Sequence, residues 1–295
     1  METIDELLDG SILVSRGPLH MTITVSKNGT PSTHMAREGG ERALELLEEL
    51  ARWLSIIKLN CTRIKRVHGL PVIVRQMIRA AQKTGDTHVT PLAAVAGAVS
   101  DQVADFLKAR GGSRIIVNNG GDIALRLGQE EKVIVGVRSD VSRGDCPYGL
   151  VVDGRWRIGG VATSGVGGRS FTKGIASAAV CIGSSAAYAD TGATVLGNST
   201  WVEDSKVETE LAEVLYPDTD LAGQRVVTRV GEIGERKIDE ALQNGMRKAS
   251  LLREKGLIKG ALIAVKGRVC WTPNLERRGR NFFMREQKDG SAPRG

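Results

Sequence analysis

Apolar and polar residues alternate through ILVSRGPLHMTITVS, within residues 11–38. That period of two predicts a strand or hairpin, with Asn28-Gly29 as a turn. The period changes in GERALELLEELARWLSIIK (40–58), where apolar positions recur at helical spacing and predict an amphipathic helix. A second helix is predicted over 71–83. THVTPLAAVAGAVSDQVADFLKARGG predicts a third, with Pro91 suited to its first turn and Gly111-Gly112 to its end. The face AAVAGA consists of small residues and would let another backbone pack closely against that helix.

A block of strands follows. SRIIVNNGGDIALRLG holds two apolar runs around NNGGD, and KVIVGVRS, YGLVVDG and RWRIGGVATSG come after it with turn signals between them. SAAVCIG (177–183) reads as another strand and leads directly into SSAAYADTGATVLG (184–197), an alanine-rich helix holding a single carboxylate, Asp190. After Pro217 come the strand VVTRVGE, a long helix at about 235–255 and a final hairpin, ALIAVKGRVCWTP. Runs of strands mixed with runs of helices predict an α+β fold, with mixed or antiparallel sheets packed against helices. No linker or repeat divides the chain, so one domain is expected.

Composition narrows the partners. At 295 residues a single domain buries roughly three-quarters of its unfolded surface and needs no covalent staples. Cys61, Cys146, Cys181 and Cys270 are far apart and form no CxxC, which argues against sequence-local zinc or iron–sulfur ligation. METIDELLDGS is acidic and lacks the apolar core of a signal peptide. No apolar run reaches the ~18 residues of a membrane span. The expectation is a reduced, cytoplasmic protein with no membrane partner. The net charge is +7, with basic residues concentrated at Lys58–Arg66 and in 276–295, the latter expected to be a flexible tail. A basic balance suits a small anionic ligand such as a nucleotide. No nucleic-acid-binding motif accompanies it, so nucleic acid is not an expected partner.

Three segments could carry chemistry. Asn118-Asn119-Gly120-Gly121-Asp122 lies between two apolar strands. It reads either as a type I′-like hairpin turn or as a glycine pair whose N–H groups face an anion. Val161-Ala162-Thr163-Ser164-Gly165-Val166-Gly167-Gly168-Arg169-Ser170 runs from a strand into a loop with three hydroxyls, three glycines and an arginine. Such a loop can hold a pyrophosphate through backbone and hydroxyl donors and a bidentate Arg169. It is neither a Walker loop nor a G-x-G-x-x-G fingerprint. Asp190 and Thr194 stand at i and i+4, so both project from one helix face, and a carboxylate with a hydroxyl suits a hard cation, Mg²⁺ or Ca²⁺.

Taken in order, VNNGGDI, ATSG and ADTGATVLG resemble the ApbE family of magnesium-dependent flavin transferases. TPLAAVAGAVSDQVADFL resembles the KG-x-x-x-D helix that precedes the family's GGD turn. The resemblance covers roughly residues 88–200 and looks closest to an uncharacterised ApbE-like branch, similar also to part of the 6-hydroxynicotinate reductases. It implies an ApbE-like domain over 1–275. It implies that Asp190 and Thr194 hold the metal, with a backbone carbonyl near Val95–Ala96 as a further ligand. It places Asn119, Gly120, Gly121 and Asp122 beside a flavin nucleotide, FAD or FMN, and Thr163, Ser164 and Gly165 near the flavin.

The departures from the family are local. VGGRSFTKG (166–174) stands where the transferases carry a His-x-x-Asp-Pro element, and it has no histidine. Ala96 stands where the family has lysine, and the early flavin-contacting motif has no counterpart. A poor FMN transferase is therefore expected. Three functions fit: a metal-dependent enzyme cleaving or transferring a pyrophosphate; a flavin reductase or reductase subunit served by a redox partner protein; or a non-catalytic binding scaffold. A homodimer is the base-rate assembly. His88 could reach the same site or be a structural histidine. Lys173 would act as a base only if buried, which a glycine-rich loop does not promise. Arg143–Asp145 with Cys146 reads as a surface loop, and Trp156 and Trp201 as core residues.

Overall fold

The computed structural model describes residues 2–138, 146, 148–275 and the backbone of 284–286. Arg143–Asp145, and the tail apart from 284–286, lie outside the described residues. Fifteen strands are described: β1 (Glu2–Glu6), β2 (Ile12–Arg16), β3 (Leu19–Lys27), β4 (Thr30–Pro31), β5 (Arg114–Asn119), β6 (Asp122–Arg126), β7 (Lys132–Val137), β8 (Tyr148–Asp153), β9 (Gly160–Ser164), β10 (Ala178–Gly183), β11 (Val207–Leu211), β12 (Arg225–Val230), β13 (Gly260–Val265), β14 (Arg268–Trp271) and β15 (Met284–Glu286). The helices are α1 (Thr33–Ala51), α2 (Leu54–Ile57), α3 (Val72–Thr84), α4 (Val95–Ala109), α5 (Ala186–Asn198), α6 (Ala212–Leu215) and α7 (Glu235–Glu254).

The main sheet runs β1-β2-β3-β5-β6-β9-β10-β13-β14, with β4 paired to β3, and its described pairings are antiparallel. Helices cover one face. The three-stranded sheet β7-β8-β15 covers part of the other. Strand β10 shows why SAAVCIG is apolar throughout: Ala179 and Cys181 pack toward the core shared with α5 and α7, and Val180 and Ile182 toward β7 and β8. The mixed α+β expectation holds. The Asn28-Gly29 turn is present too, with φ of 52° and 80° at its two residues.

Boundaries differ where glycine misled the pattern. Helix α1 starts at Thr33, not Gly40, and Ser32 Oγ accepts the Met35 N–H at 3.4 Å as its cap. Gly39 and Gly40 read as breakers but sit inside the helix at close crossings. A Cβ on Gly40 would lie 2.8 Å from Val14, and one on Gly39 3.0 Å from Leu107. The predicted helix over 40–58 breaks at Arg52–Trp53, and α2 follows. Pro91 begins a short 3₁₀ turn, Pro91–Ala94, ahead of α4. The acidic N-terminal stretch forms β1, paired with β2 from Glu2↔Arg16 to Glu6↔Ile12. Strand β11 has no counterpart in the predicted elements.

Candidate functional site

Helices α4 and α5 meet at a glycine. A Cβ on Gly97 would lie 2.3 Å from the Ala186 carbonyl oxygen, so the small-residue face of α4 is where the start of α5 crosses it. On the other side, a Cβ on Gly160 of β9 would lie 2.3 Å from the Ala186 Cα. With the backbones this close, each helix caps the other. Asp101 of α4 is fully buried and accepts the first two N–H groups of α5, Ala186 at 3.0 Å and Ala187 at 2.9 Å. Gln76 Nε2 (2.9 Å) and Arg126 Nη2 (3.0 Å) also donate to it. In return, Asp190 of α5 accepts the Gly97 N–H at 2.9 Å, with the Ala96 N–H close by. Carboxylates suit helix N-termini because the unpaired N–H groups and the dipole both favour negative charge there.

Asp122 faces Asp190. It starts β6 just after the Gly120-Gly121 turn, whose positive φ values (67° and 108°) favour glycine. Asn118 Oδ1 accepts the Gly121 N–H at 3.0 Å and fixes that turn. Burial pushes the Asp122 carboxyl up to about 7, against the Thr163 N–H and the Arg169 charge, which pull it down. Burial, and then the charge of Asp122, push Asp190 well above the ordinary carboxylate range. Two half-buried carboxylates that resist joint ionisation form a place where a cation is stabilised.

The loop after β9 closes over this pair. Gly165 would put a Cβ 2.5 Å from the Ser177 carbonyl oxygen, so only glycine fits there. Arg169 is exposed and reaches across the NNGGD turn, donating to the Pro18 carbonyl oxygen at 3.3 Å. A Cβ on Gly120 would come within 2.9 Å of its guanidinium. Ser164 is buried, and its Oγ has no hydrogen-bond partner among the described residues. Thr163 is exposed, and its backbone N–H, rather than its hydroxyl, meets Asp122. Asn119 is buried, with its Oδ1 3.5 Å from His20 N. Thr194 is half-buried, one turn beyond Asp190 on the same face of α5.

Lys173 departs from expectation. Its backbone N–H donates to Asn198 Oδ1 at 2.8 Å and its Nζ to Gln224 Oε1 at 3.0 Å. The loop therefore half-buries this side chain, and burial pulls the amine below its ordinary value, with Asp86 opposing. His88 is exposed, in a loop held by Asp86. Cys146 is half-buried beside Gly136. Trp156 is partly buried in the core, whereas Trp201 is 42% exposed rather than a core residue. Arg126 was not singled out in the sequence, and Asp101 entered only as the aspartate of the KG-x-x-x-D resemblance, with no role attached to it. The available signal was an aspartate four residues after Gly97, on the face that crosses α5.

Asp190, Asp122 and Thr194 offer only oxygen, the donor type that Mg²⁺ and Ca²⁺ take. Among the described residues no three His, Cys, Asp or Glu side chains converge. A cation here would complete its shell from ligand phosphates and water, as Mg²⁺ usually does.

A family model described as AbpE bacteria matches residues 5–271. The chain is 36% identical over 145 residues to a UPF0280 protein of Methanosarcina barkeri, covering 49% of this chain and 55% of that protein. It is 34% identical over 187 residues to a UPF0280 protein of Methanothrix thermoacetophila, covering 61% and 75%. It thus spans about half the length of the first relative. Among solved structures it is similar to the flavinyl transferase ApbE of Pseudomonas stutzeri in its apo form (14% identity, TM-score 0.46, 96% and 94% covered). It is also similar to the flavin transferase ApbE of Vibrio cholerae (13% identity, TM-score 0.47, 96% and 97% covered).

Proposed function

Because the chain belongs to the family described as AbpE bacteria, we propose that it binds a phosphate-bearing flavin, FAD or FMN, together with a divalent cation, and that with FAD it acts on the pyrophosphate by cleavage or transfer. The observation that carries this reading is that the Asp190 carboxylate, held at the first turn of α4, stands close enough to Asp122 for the two charges to oppose each other. Asp190 and Thr194 would hold the cation from one face of α5, with Asp122 opposite. When bound, the cation would polarise a phosphoryl oxygen. Arg169 and the Gly120-Gly121 turn would orient the phosphates, and the loop 164–169 would shield them from water. The motifs VNNGGDI, ATSG and ADTGATVLG are what favour a flavin over another nucleotide.

Calorimetry with Mg²⁺, alone and with FAD, tests this. Wild type is expected to bind the metal, and Asp190→Asn, which keeps the shape and removes the charge, to abolish binding. Arg169→Ala is expected to weaken FAD binding about tenfold, the loss of one charged hydrogen bond of ~1.5 kcal/mol. No divalent-metal binding by wild type, with or without nucleotide, would sink the reading.

A further inference from the structure

Residues 50–85 contain eight lysines and arginines and no aspartate or glutamate. The whole chain carries +7, so the residues outside this stretch carry a net −1. The fold gathers much of this charge on one face. Val72, Arg75 and Arg79 lie on one stripe of α3, at i, i+3 and i+7. Gln82 continues the stripe, and its Nε2 donates to the carbonyls of Cys61 (3.2 Å) and Ile64 (2.9 Å). These bonds strap the preceding segment alongside α3 and bring up Arg63, Lys65 and Arg66, which are exposed. None of the five cations of this face makes an ion pair with a described residue. Lys58 and Lys83, by contrast, are engaged, with Asp218 (2.5 Å) and with the Tyr188 ring and the Gly256 carbonyl.

Exposed apolar side chains accompany these cations: Val72, on the α3 stripe with Arg75 and Arg79, is 58% exposed, and Leu59, just before the strapped segment in the chain, 40%. We propose that this face adsorbs to an anionic lipid surface, with the cations at the headgroups and Leu59 and Val72 in the interfacial layer. The mixture of unpaired cations and exposed aliphatic groups is what distinguishes lipid from nucleic acid, whose single strands are gripped by aromatic platforms. The one aromatic residue of the stretch, Trp53, packs against the core. No helix among the described residues is long and apolar enough to cross a membrane. The sequence expectation of no membrane partner rested on the lack of a span, which does not bear on surface adsorption.

The test is co-sedimentation of the full chain with phosphatidylcholine vesicles, with and without phosphatidylglycerol. Binding is expected only to the anionic vesicles, and it should weaken as salt screens the surface. Each cation near such a surface is worth about fivefold in affinity. The triple variant Arg63→Glu/Lys65→Glu/Arg66→Glu is therefore expected to bind at least ~100-fold more weakly. Val72→Ser is expected to weaken binding severalfold with an unchanged salt dependence. Should the triple variant melt early, Arg75→Gln/Arg79→Gln serves in its place, with at least a ~20-fold loss expected. Equal binding to both vesicle types, no binding to either, full binding by the charge variants, or tighter binding to polyuridylate than to vesicles would overturn the proposal.

Discussion

A lone aspartate in an alanine-rich helix is intelligible once its neighbours are known. Asp190 meets a second carboxylate, Asp122, which burial pushes up to about 7. A carboxylate raised in the folded state contributes stability that is present below its ordinary value of about 4 and lost as pH rises through the folded value. The metal-free protein should therefore be less stable at pH 8 than at pH 5 on account of this pair. Asp153, held well below the usual carboxylate range by Arg155, acts in a different window: its contribution is lost only as pH falls below the ordinary carboxylate value of about 4. The pair is isolated by difference: Asp122→Asn should remove at least ~1 kcal/mol of the loss between pH 5 and pH 8, since a tenfold change in proton affinity is worth about 1.4 kcal/mol. Urea denaturation of both proteins in EDTA measures it, and parallel pH profiles would refute it. At this scale the shared helix face of Asp190 and Thr194 was legible, because i,i+4 spacing is local. Asp101 was not: the N–H groups it accepts on α5 lie 85 and 86 residues away, and Arg126 and Gln76 each 25 away.

Between elements, the crossing of α4 and α5 sets the site. The small face AAVAGA predicted a close approach in advance. What no pattern could supply was the exchange of carboxylates, Asp101 to the start of α5 and Asp190 to the start of α4. Gly97→Ala puts two effects in opposition. Helix propensity favours alanine by about 1 kcal/mol. Against it, the new Cβ would lie 2.3 Å from the Ala186 oxygen, and Gly160 blocks retreat on the far side. Backbone facing backbone cannot rotate away, and overpacking costs about 1–3 kcal/mol. The variant is expected to be destabilised and to bind Mg²⁺ more weakly, since parting the helices moves Asp190. A urea midpoint at or above that of wild type would show that the helices are not in contact at Gly97. The same close packing explains the misplaced start of α1. Gly39 and Gly40 signal a break in the sequence, but in the fold they let α1 approach Leu107 and Val14.

At the scale of the molecule, the sheet order places β6, β9 and β10 side by side. Asp122, the Thr163 N–H, Arg169 and Asp190, well separated in the chain, are thereby brought near one another. Their order was readable, but the sheet that unites them was not, because pairing such as β6 with β9 leaves no local period. Transfer of FMN to a hydroxyl would need more than this assembly. The hydroxyl oxygen must form the new bond to phosphorus as the old phosphoanhydride bond breaks, and its proton needs an acceptor within ~2.6–3.2 Å or one water away. The loop after β9 offers no histidine. Its Arg169 is a donor-only side chain that lies over the Gly120 turn and donates to the Pro18 carbonyl oxygen. Burial does favour the neutral amine of Lys173, but its Nζ is bonded to Gln224. Asp122 would be committed to the cation whenever metal is bound. FAD should therefore bind without efficient FMN transfer. Incubation with FAD, Mg²⁺ and threonine-bearing acceptor peptides, read by mass spectrometry, is expected to give at most a slow adduct, made slower still by Lys173→Met if that amine takes the proton. A rapid adduct abolished by Asp190→Asn and insensitive to Lys173→Met would mean that another group receives the proton, and that the missing histidine is no barrier to transfer.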